Sequence, residues 1–412
     1  MYQFLLLIAL LIGTAVLLQV NFAFYIAYVC IGLFAWSRWS TPFAMKQLRV
    51  QRRFADHAFL GEDVPIELVF TNNGWLRLPW LQYSEATAVE LQTGDVMKRA
   101  VALGRKETAV FTYTVRAMKR GYYRLGPLHL LSSDLYGITK EQRAQIPPQN
   151  LTVYPRIVSL TQLGLPSRLP FGTIASRQRL FADPARPMGV RNYRSGDSLR
   201  QINWKVSAHT RDLMVKTFEP AISLETAVLL NLNLSDYRQR ERYTTIEWGI
   251  VVAASLAAHL INQRQSVGLL SNGIDPLASN EQAIEFDSSS GRLTGHGSGQ
   301  MAGAIMPRNG RSHLMKILEQ LARVEAENTV PFNEWATTAT MPLSWGVTLL
   351  IITPKGDDAT CQTLHRLVRA GYNPVLLVLE ADQNFGQIRA RARQLGFLAF
   401  SIVHEQELDR WR

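Results

Sequence analysis

The sequence predicts a chain of mixed α/β and all-β class: a transmembrane helical hairpin, then a β-sandwich, then a doubly wound α/β domain. Three observations carry this reading. Two apolar runs crowd the first forty positions, period-two segments with turn punctuation follow, and strand-like and helix-like runs alternate from Ala221 onward. At 412 residues and 47% hydrophobic content, the chain has room for two domains and an accessory segment.

The hairpin is expected over residues 1–40. Residues 4–18 and 22–36 carry no charge, and only Gln19, Val20 and Asn21 separate them. Each run is a little short of the roughly 20 residues a span needs, but Tyr2, Trp36 and Trp39 are suited to anchor at the interface. Residues 1–3 lack the basic start of a secretory signal. Arg38, Lys46, Arg49, Arg52 and Arg53 all precede the first acidic residue, Asp56. The positive-inside rule therefore places both chain ends, and the bulk of the chain, on the cytoplasmic side of the cell (inner) membrane. The competing reading is a hairpin buried in a soluble domain, against which the unbroken apolar faces count.

Residues 45–160 read as the sandwich. Residues 64–70 run into Asn72-Asn73-Gly74, residues 109–115 alternate and are rich in β-branched and aromatic side chains, and residues 120–127 and 151–155 are further short strands. Nothing in this stretch suggests chemistry, so it reads as a spacer or docking module. Residues 161–225 form a connector with Pro166, Pro170, Pro184 and Pro187. Residues 226–412 form the α/β domain. Its strands are expected at 227–234, 267–270, 347–352, 374–379 and 398–402, and its helices at 245–262, 311–327, 359–370 and 385–395. The strand runs are continuously apolar, as parallel strands buried on both faces require. The Gly/Ser-rich residues 288–310 are expected to form a loop.

The most informative stretch lies between positions 188 and 218. Ser195-Gly196-Asp197 is turn chemistry, surrounded by Arg191, Arg194, Arg200 and Lys205, with Tyr193, Ile202 and Trp204 interleaved. Large apolar side chains do not suit a purely solvated loop, and so many charges do not suit a core. The expected geometry is a half-buried wrap in which Ile202 and Trp204 face inward and Asp197 pairs with an arginine.

Arg191, Tyr193, Gly196, Asp197, Arg200, Trp204, Lys205 and Ala208 follow an Arg-x-Tyr-x-x-Gly-Asp-x-x-Arg-x-x-Trp-Lys-x-x-Ala pattern. This resembles the signature of the bacterial family catalogued as domain of unknown function fifty-eight. Asp134-Leu135-Tyr136-Gly137 and Val153-Tyr154-Pro155 resemble that family's β-region. The resemblance implies a membrane-anchored protein with a von Willebrand factor type A-like domain and a MoxR-type AAA+ ATPase as partner. It implies a non-enzymatic adaptor or assembly factor with a chaperone-like role in the cell envelope. Under that reading Asp197 neutralises Arg191 or Arg200, Trp204 anchors the motif to the sheet, and Arg194 and Lys205 remain for the partner.

The same resemblance implies where a metal would sit. In a von Willebrand factor type A-like fold an Asp-x-Ser-x-Ser element at the first strand end, helped by a Thr and a second Asp, holds a divalent cation. Here Asn231 replaces the carboxylate and Asn233 the first serine, Ser235 alone matches, and the later strand ends in Thr353-Pro354. Mg²⁺ depends on carboxylate charge, so no metal and no cofactor are expected, with Asp236 the one acid nearby. The competing reading is an enzyme of unknown reaction with its site at residues 231–236.

Other chemistry is weaker. The glycine cluster at 295–299 lacks a phosphate loop's Gly-Lys-Ser/Thr, the eight histidines show no metal-ligand spacing, and no Gly-x-Ser-x-Gly elbow occurs. Cys30 and Cys361 are expected to be reduced and structural. The net charge of +11 suggests an acidic partner. Residues 177–216 hold nine basic against three acidic side chains, a local +6, and Phe181, Tyr193 and Trp204 offer rings for stacking. The fixed motif spacing and the membrane hairpin favour a protein partner, and no nucleic acid is expected.

Overall fold

The computed structural model describes residues 2–18, 21–85, 91–93, 98–134, 141–159, 182–194, 201–220, 225–278, 300–380, 385–405 and 408. The chain divides into two compact units. The first comprises Met1–Arg156, Asp275–Gln300 and Leu318–Val324; the second comprises Ile157–Ile274, Met301–Ile317 and Glu325–Arg412.

The first unit opens with α1 (Tyr2–Leu18) and α2 (Asn21–Lys46), a hairpin in which the rings of Phe4 and Phe34 stack 6.2 Å apart. Both helices turn large apolar side chains outward, among them Leu6, Leu10, Leu17, Phe22, Tyr25 and Val29. A helix of 26 residues at about 1.5 Å per residue is long enough to cross a bilayer, and α2 is apolar enough as well. It does not end with its apolar run. It continues to Lys46, where Ala44 is buried and Phe43 and Met45 pack on the sandwich core.

Eleven strands follow: β1 (Leu48–Arg53), β2 (His57–Phe59), β3 (Asp63–Asn72), β4 (Leu78–Glu85), β5 (Leu91–Thr93), β6 (Lys98–Leu103), β7 (Thr108–Ala117), β8 (Gly121–Leu125), β9 (Leu128–Ser132), β10 (Gln142–Ile146) and β11 (Gln149–Tyr154). They form a sandwich-like set of sheets with orders β1-β3-β7-β5, β10-β9-β4-β6 and β2-β11-β8. Alternation places Val64, Ile66, Leu68 and Phe70 inward along β3. Pro65 is tolerated in β3 because β1 stops pairing at Glu67, so the missing N–H breaks no ladder on that side.

One buried polar cluster bridges the two four-stranded sheets. Arg52 on β1 pairs with Glu85 on β4, and the Tyr113 hydroxyl on β7 donates to the same carboxylate. Burial, then the adjacent Glu85 charge, pushes the Tyr113 phenol far above its ordinary value, so it stays a donor. This corrects one element of the charge reading. Arg52 is interior and committed to Glu85, leaving Arg38, Lys46, Arg49 and Arg53 as the basic flank of the apolar helices.

In the second unit an antiparallel pair, β12 (Ala182–Asn192) and β13 (Met214–Pro220), flanks the short helix α3 (Trp204–Thr210). Part of the expected connector is therefore strand. Along the chain then come β14 (Glu225–Leu230), α4 (Arg242–Asn262), β15 (Ser266–Ser271), β16 (Ile274–Asp275), β17 (Gln300–Met301), β18 (Ile305–Arg308), α5 (Arg311–Arg323), α6 (Phe332–Ala339), β19 (Thr348–Thr353), α7 (Asp358–Arg369), β20 (Asn373–Val378), α8 (Phe385–Leu395) and β21 (Leu398–Ser401), of which Asp275, Gln300 and the end of α5 from Leu318 belong to the first unit. Six strands make one sheet in the order β18-β15-β14-β19-β20-β21, all parallel except β18.

Helices cover both faces of this sheet. Ala227, Leu229, Leu349 and Ile351 pack with Phe332, Trp335, Leu364 and Ala392 of α6, α7 and α8. The alternate residues Leu230 and Ile352 lie under α4, within 3.6 and 3.7 Å of where a Cβ on Gly249 would stand. The apolar helix α4 has the length and composition of a membrane span, but most of it is buried against the sheet, which makes it a core helix. Part of the stretch read as a loop proves to be the edge strand β18, while residues 279–299 lie outside the described residues. A Cβ on Gly268 would lie 2.7 Å from the Ile305 carbonyl, so glycine lets the irregular edge strand approach.

Candidate functional site

Among the described residues the signature motif comprises a strand, a short helix and a returning strand. Arg191 lies opposite Val215 and Asn192 opposite Met214, the Tyr193 N–H donates to the Leu213 carbonyl at 2.8 Å, and Ile202 bridges to Val215. Asn203 caps α3, its side-chain oxygen accepting from the Val206 N–H at 3.4 Å. The Ser207 hydroxyl donates to the Asn203 carbonyl at 2.9 Å and accepts the Met214 N–H at 2.8 Å, which ties the helix to β13.

That arrangement sorts the motif residues. Ile202 is 5% exposed and faces inward as expected. Trp204 does not: it is 67% exposed. Asn203 and Ser207, one turn apart, take the inward face, so Trp204 and Ala208 fall on the next face and point outward. The expected anchor to the sheet is therefore a surface ring. Arg191, Arg194 and Lys205 are exposed and Tyr193 is half-buried. Gly196, Asp197 and Arg200 lie outside the described residues, as does the expected pairing of Asp197.

A second cluster closes the strand ends of the α/β sheet. Asn231, fully buried just after β14, donates from Nδ2 to Asp236 Oδ2 at 3.0 Å and to Thr353 Oγ1 at 3.3 Å. Its Oδ1 accepts the Asn233 N–H at 3.1 Å and Asn272 Nδ2 at 3.0 Å. Asn272 also accepts the Leu232 N–H and donates to the Val330 carbonyl. Asn233 donates to Ser235 Oγ at 2.7 Å and accepts the Thr329 N–H at 3.2 Å. Asp236 further accepts the Phe332 N–H at 3.4 Å. Burial, with the Glu380 and Asp236 carboxylates, pushes the Tyr237 phenol far above its ordinary value, and its hydroxyl donates to the Asn231 carbonyl.

Asn231, Asn233, Ser235 and Asp236 are thus brought together, with Asn272, Thr329 and Thr353 added from neighbouring strand ends and loops. The amide of Asn231 stands among the acceptors and donates to two of them, Asp236 and Thr353. Asn272 was missed in the sequence, although its place one residue past β15 parallels that of Asn231 past β14. Among the described residues no group of three or more His, Cys, Asp or Glu side chains is placed to hold a metal. Cys361 is buried, and burial pushes its thiol up, away from a reactive thiolate. Cys30 is likewise free of any disulfide. The glycine cluster at 295–299 lies outside the described residues.

Fold and site together define a class: a chain with an apolar N-terminal helix pair, a sandwich-like β unit and an α/β unit with an exposed basic motif. Within it, residues 189–279 match the family described as "Protein of unknown function DUF58". A Bacillus subtilis (strain 168) protein described as "Uncharacterized protein YeaD" is 24% identical over 180 residues, covering 44% of this chain and 43% of that protein. Both matches support kinship with the DUF58 family; the aligned stretch spans less than half the relative's length.

Among solved structures, a fragment of Escherichia coli alpha-2-macroglobulin is 18% identical over 27% of this chain and 17% of its own, with a TM-score of 0.23. The CARDB domain of the PF1109 protein from Pyrococcus furiosus is 16% identical over 26% of this chain and 91% of its own, with a TM-score of 0.19. At these TM-scores the likeness carries no weight for fold or function.

Proposed function

We propose that the protein is a non-enzymatic, membrane-anchored adaptor that presents the motif surface of its α/β unit to a protein partner. One observation carries the reading: Trp204 stands exposed beside Lys205 in a segment that also exposes Arg191 and Arg194. Exposed tryptophan with arginine is the composition of interface hot spots. The cluster around Asn231 supports the non-enzymatic part, because its three amides, Asn231, Asn233 and Asn272, are fully buried and hydrogen-bonded within the protein. It also supports reading the α/β unit as von Willebrand factor type A-like, with an amide in place of the cation. By resemblance, the partner is a MoxR-type AAA+ ATPase and the role chaperone-like assembly in the cell envelope.

The test separates the two motif residues that the structure places on opposite sides. Ile202→Ala should destabilise the protein by about 2–4 kcal/mol, as deletion of a buried aliphatic side chain does. Trp204→Ala should leave the melting temperature within about 2 °C of the wild type, yet reduce capture of the ATPase from solubilised membranes roughly tenfold or more. Mass spectrometry of the captured proteins reads the second effect. Undiminished capture by Trp204→Ala would remove the basis for an interface here.

The anchor reading rests on α1 and α2, whose outward apolar faces are compatible with membrane insertion. The basic flank supports a cytoplasmic position for residues from Leu48 onward. A cysteine introduced at Met341, an exposed position, should react with an impermeant maleimide only after the inner membrane is opened, with Cys30 replaced by serine. Labelling in intact spheroplasts would place the bulk of the chain on the other side.

A further inference from the structure

Where α2 leaves its exposed apolar stretch and meets the sandwich, the first unit builds an aromatic collar. Trp39 stacks on Phe43 at 5.3 Å and lies 5.7 Å from Trp36 and 6.3 Å from Trp75. Trp36 is 53% exposed and Trp75, between β3 and β4, is 50% exposed. Such rings settle at the headgroup level of a bilayer. Beside the collar lies a cavity of about 850 Å³ between α2 and the sandwich, within the size range of small-molecule sites.

The cavity has two chemistries. Its apolar side is shared by Trp36 on α2 and buried leucines of the sandwich, and is continuous with the exposed apolar surface of α2. Its polar side carries both signs of charge: Arg77 and Arg105 on one hand, Glu107 and Asp134 on the other. Arg77 and Arg105 are exposed and have no ion-pair partner among the described residues. Glu107 accepts the Gly104 N–H with Oε2, and Oε1 has no protein partner among them. Guanidinium groups match a phosphate's oxygens, and a carboxylate matches an ammonium.

We infer that this cavity binds the headgroup of a membrane phospholipid carrying both a phosphate and a primary amine, of the phosphatidylethanolamine type. Arg77 and Arg105 hold the phosphate, and Glu107 receives the ammonium. The acyl chains leave past Trp36 along α2. A purely anionic headgroup would bring its charge against Glu107 with no ammonium to offset it. A soluble zwitterion would leave the apolar side and the adjoining helix surface unfilled. The inference rests on the membrane-anchored reading above, and its test is arranged so that the two fail separately.

The full-length protein, extracted in mild detergent, is offered an equimolar mixture of dioleoyl phosphatidylethanolamine, phosphatidylglycerol and phosphatidylcholine, and retained lipid is counted by native mass spectrometry. The wild type should retain phosphatidylethanolamine about tenfold over phosphatidylcholine, whose quaternary ammonium cannot donate a hydrogen bond. Arg77→Ala combined with Arg105→Ala should lower retention about tenfold or more, with folding unchanged because both side chains are exposed. Glu107→Gln keeps an acceptor for Gly104 and should erase the discrimination between the two amines while phospholipid is still retained. Equal retention of all three lipids by the wild type, or a preference for phosphatidylglycerol that Glu107→Gln does not alter, overturns the inference. Carbonate extraction of native membranes supplies the separate arm. Release into the soluble fraction overturns the anchor and the inference together, whereas retention without headgroup preference overturns the inference alone.

Discussion

Glu85→Ala should destabilise the protein by about 3–5 kcal/mol, a large fraction of the stability of a domain this size. The side chain is almost wholly buried and receives both the Arg52 guanidinium and the Tyr113 hydroxyl. Removing it leaves a buried cation without its counter-charge and a buried phenol without its acceptor. The cost is therefore that of an uncompensated charge, not of one lost hydrogen bond. Tyr113→Phe removes a single donor and should cost about 1–2 kcal/mol. The triple replacement Arg52→Met, Glu85→Leu and Tyr113→Phe should recover most of the loss, since apolar side chains there need no desolvation of charge and leave no buried donor unpaired. Urea denaturation in detergent, followed by far-ultraviolet circular dichroism, distinguishes the three. Equal midpoints for wild type and Glu85→Ala would mean that the pair is not buried as described.

Asn231→Asp should cost a similar amount, and the loss should respond to a cation. The substitution removes the amide hydrogens donated to Asp236 and Thr353, and brings a second carboxylate to the place of a donor 3.0 Å from Asp236 Oδ2. Two acids at that distance in a buried site repel strongly, and about 3–5 kcal/mol is expected without metal. Two carboxylates beside Ser235 and Thr353 are also what a hard cation requires. Millimolar Mg²⁺ should therefore raise the melting temperature of Asn231→Asp and leave that of the wild type where it was. Binding at about a hundred times the dissociation constant would stabilise by roughly 2.7 kcal/mol, which a melting experiment resolves. A wild-type shift with Mg²⁺ would show that the amide does not close the site. An unchanged melting temperature for the variant would show that the network contributes little.

Both predictions concern groups whose type was visible in the sequence and whose role was not. Asn231, Asn233 and Ser235 were conspicuous as departures from a metal-binding pattern. What fills the vacated position depends on Asn272, Thr329 and Thr353, which come from 41, 96 and 122 positions further along the chain. No local pattern records such a meeting. Arg52 shows the same limit. Beside Arg49 and Arg53 it reads as one more basic residue flanking an apolar helix, and only Glu85, reached across the sandwich, makes it a core residue.

By itself the sequence determined the parts whose cause is local. Continuous apolar runs marked the buried strands β14, β15, β19 and β20 to within a few residues at either end, and the 3.6-residue period placed α8 at Phe385–Leu395. The uncharged runs at 4–18 and 22–36 marked the N-terminal apolar helices. Tertiary structure decided what depends on a partner. The edge strand β18 is a strand only because β15 offers its open side and Gly268 leaves room for it, so its Gly/Ser-rich surroundings pointed elsewhere. Trp204 has the composition of a core residue, and its exposure follows from the rotation of α3 once Asn203 and Ser207 are tied to β13. Hydrophobicity states what a side chain gains by burial, whereas burial also requires a surface to meet, and that surface is set by chain pairing far away in sequence.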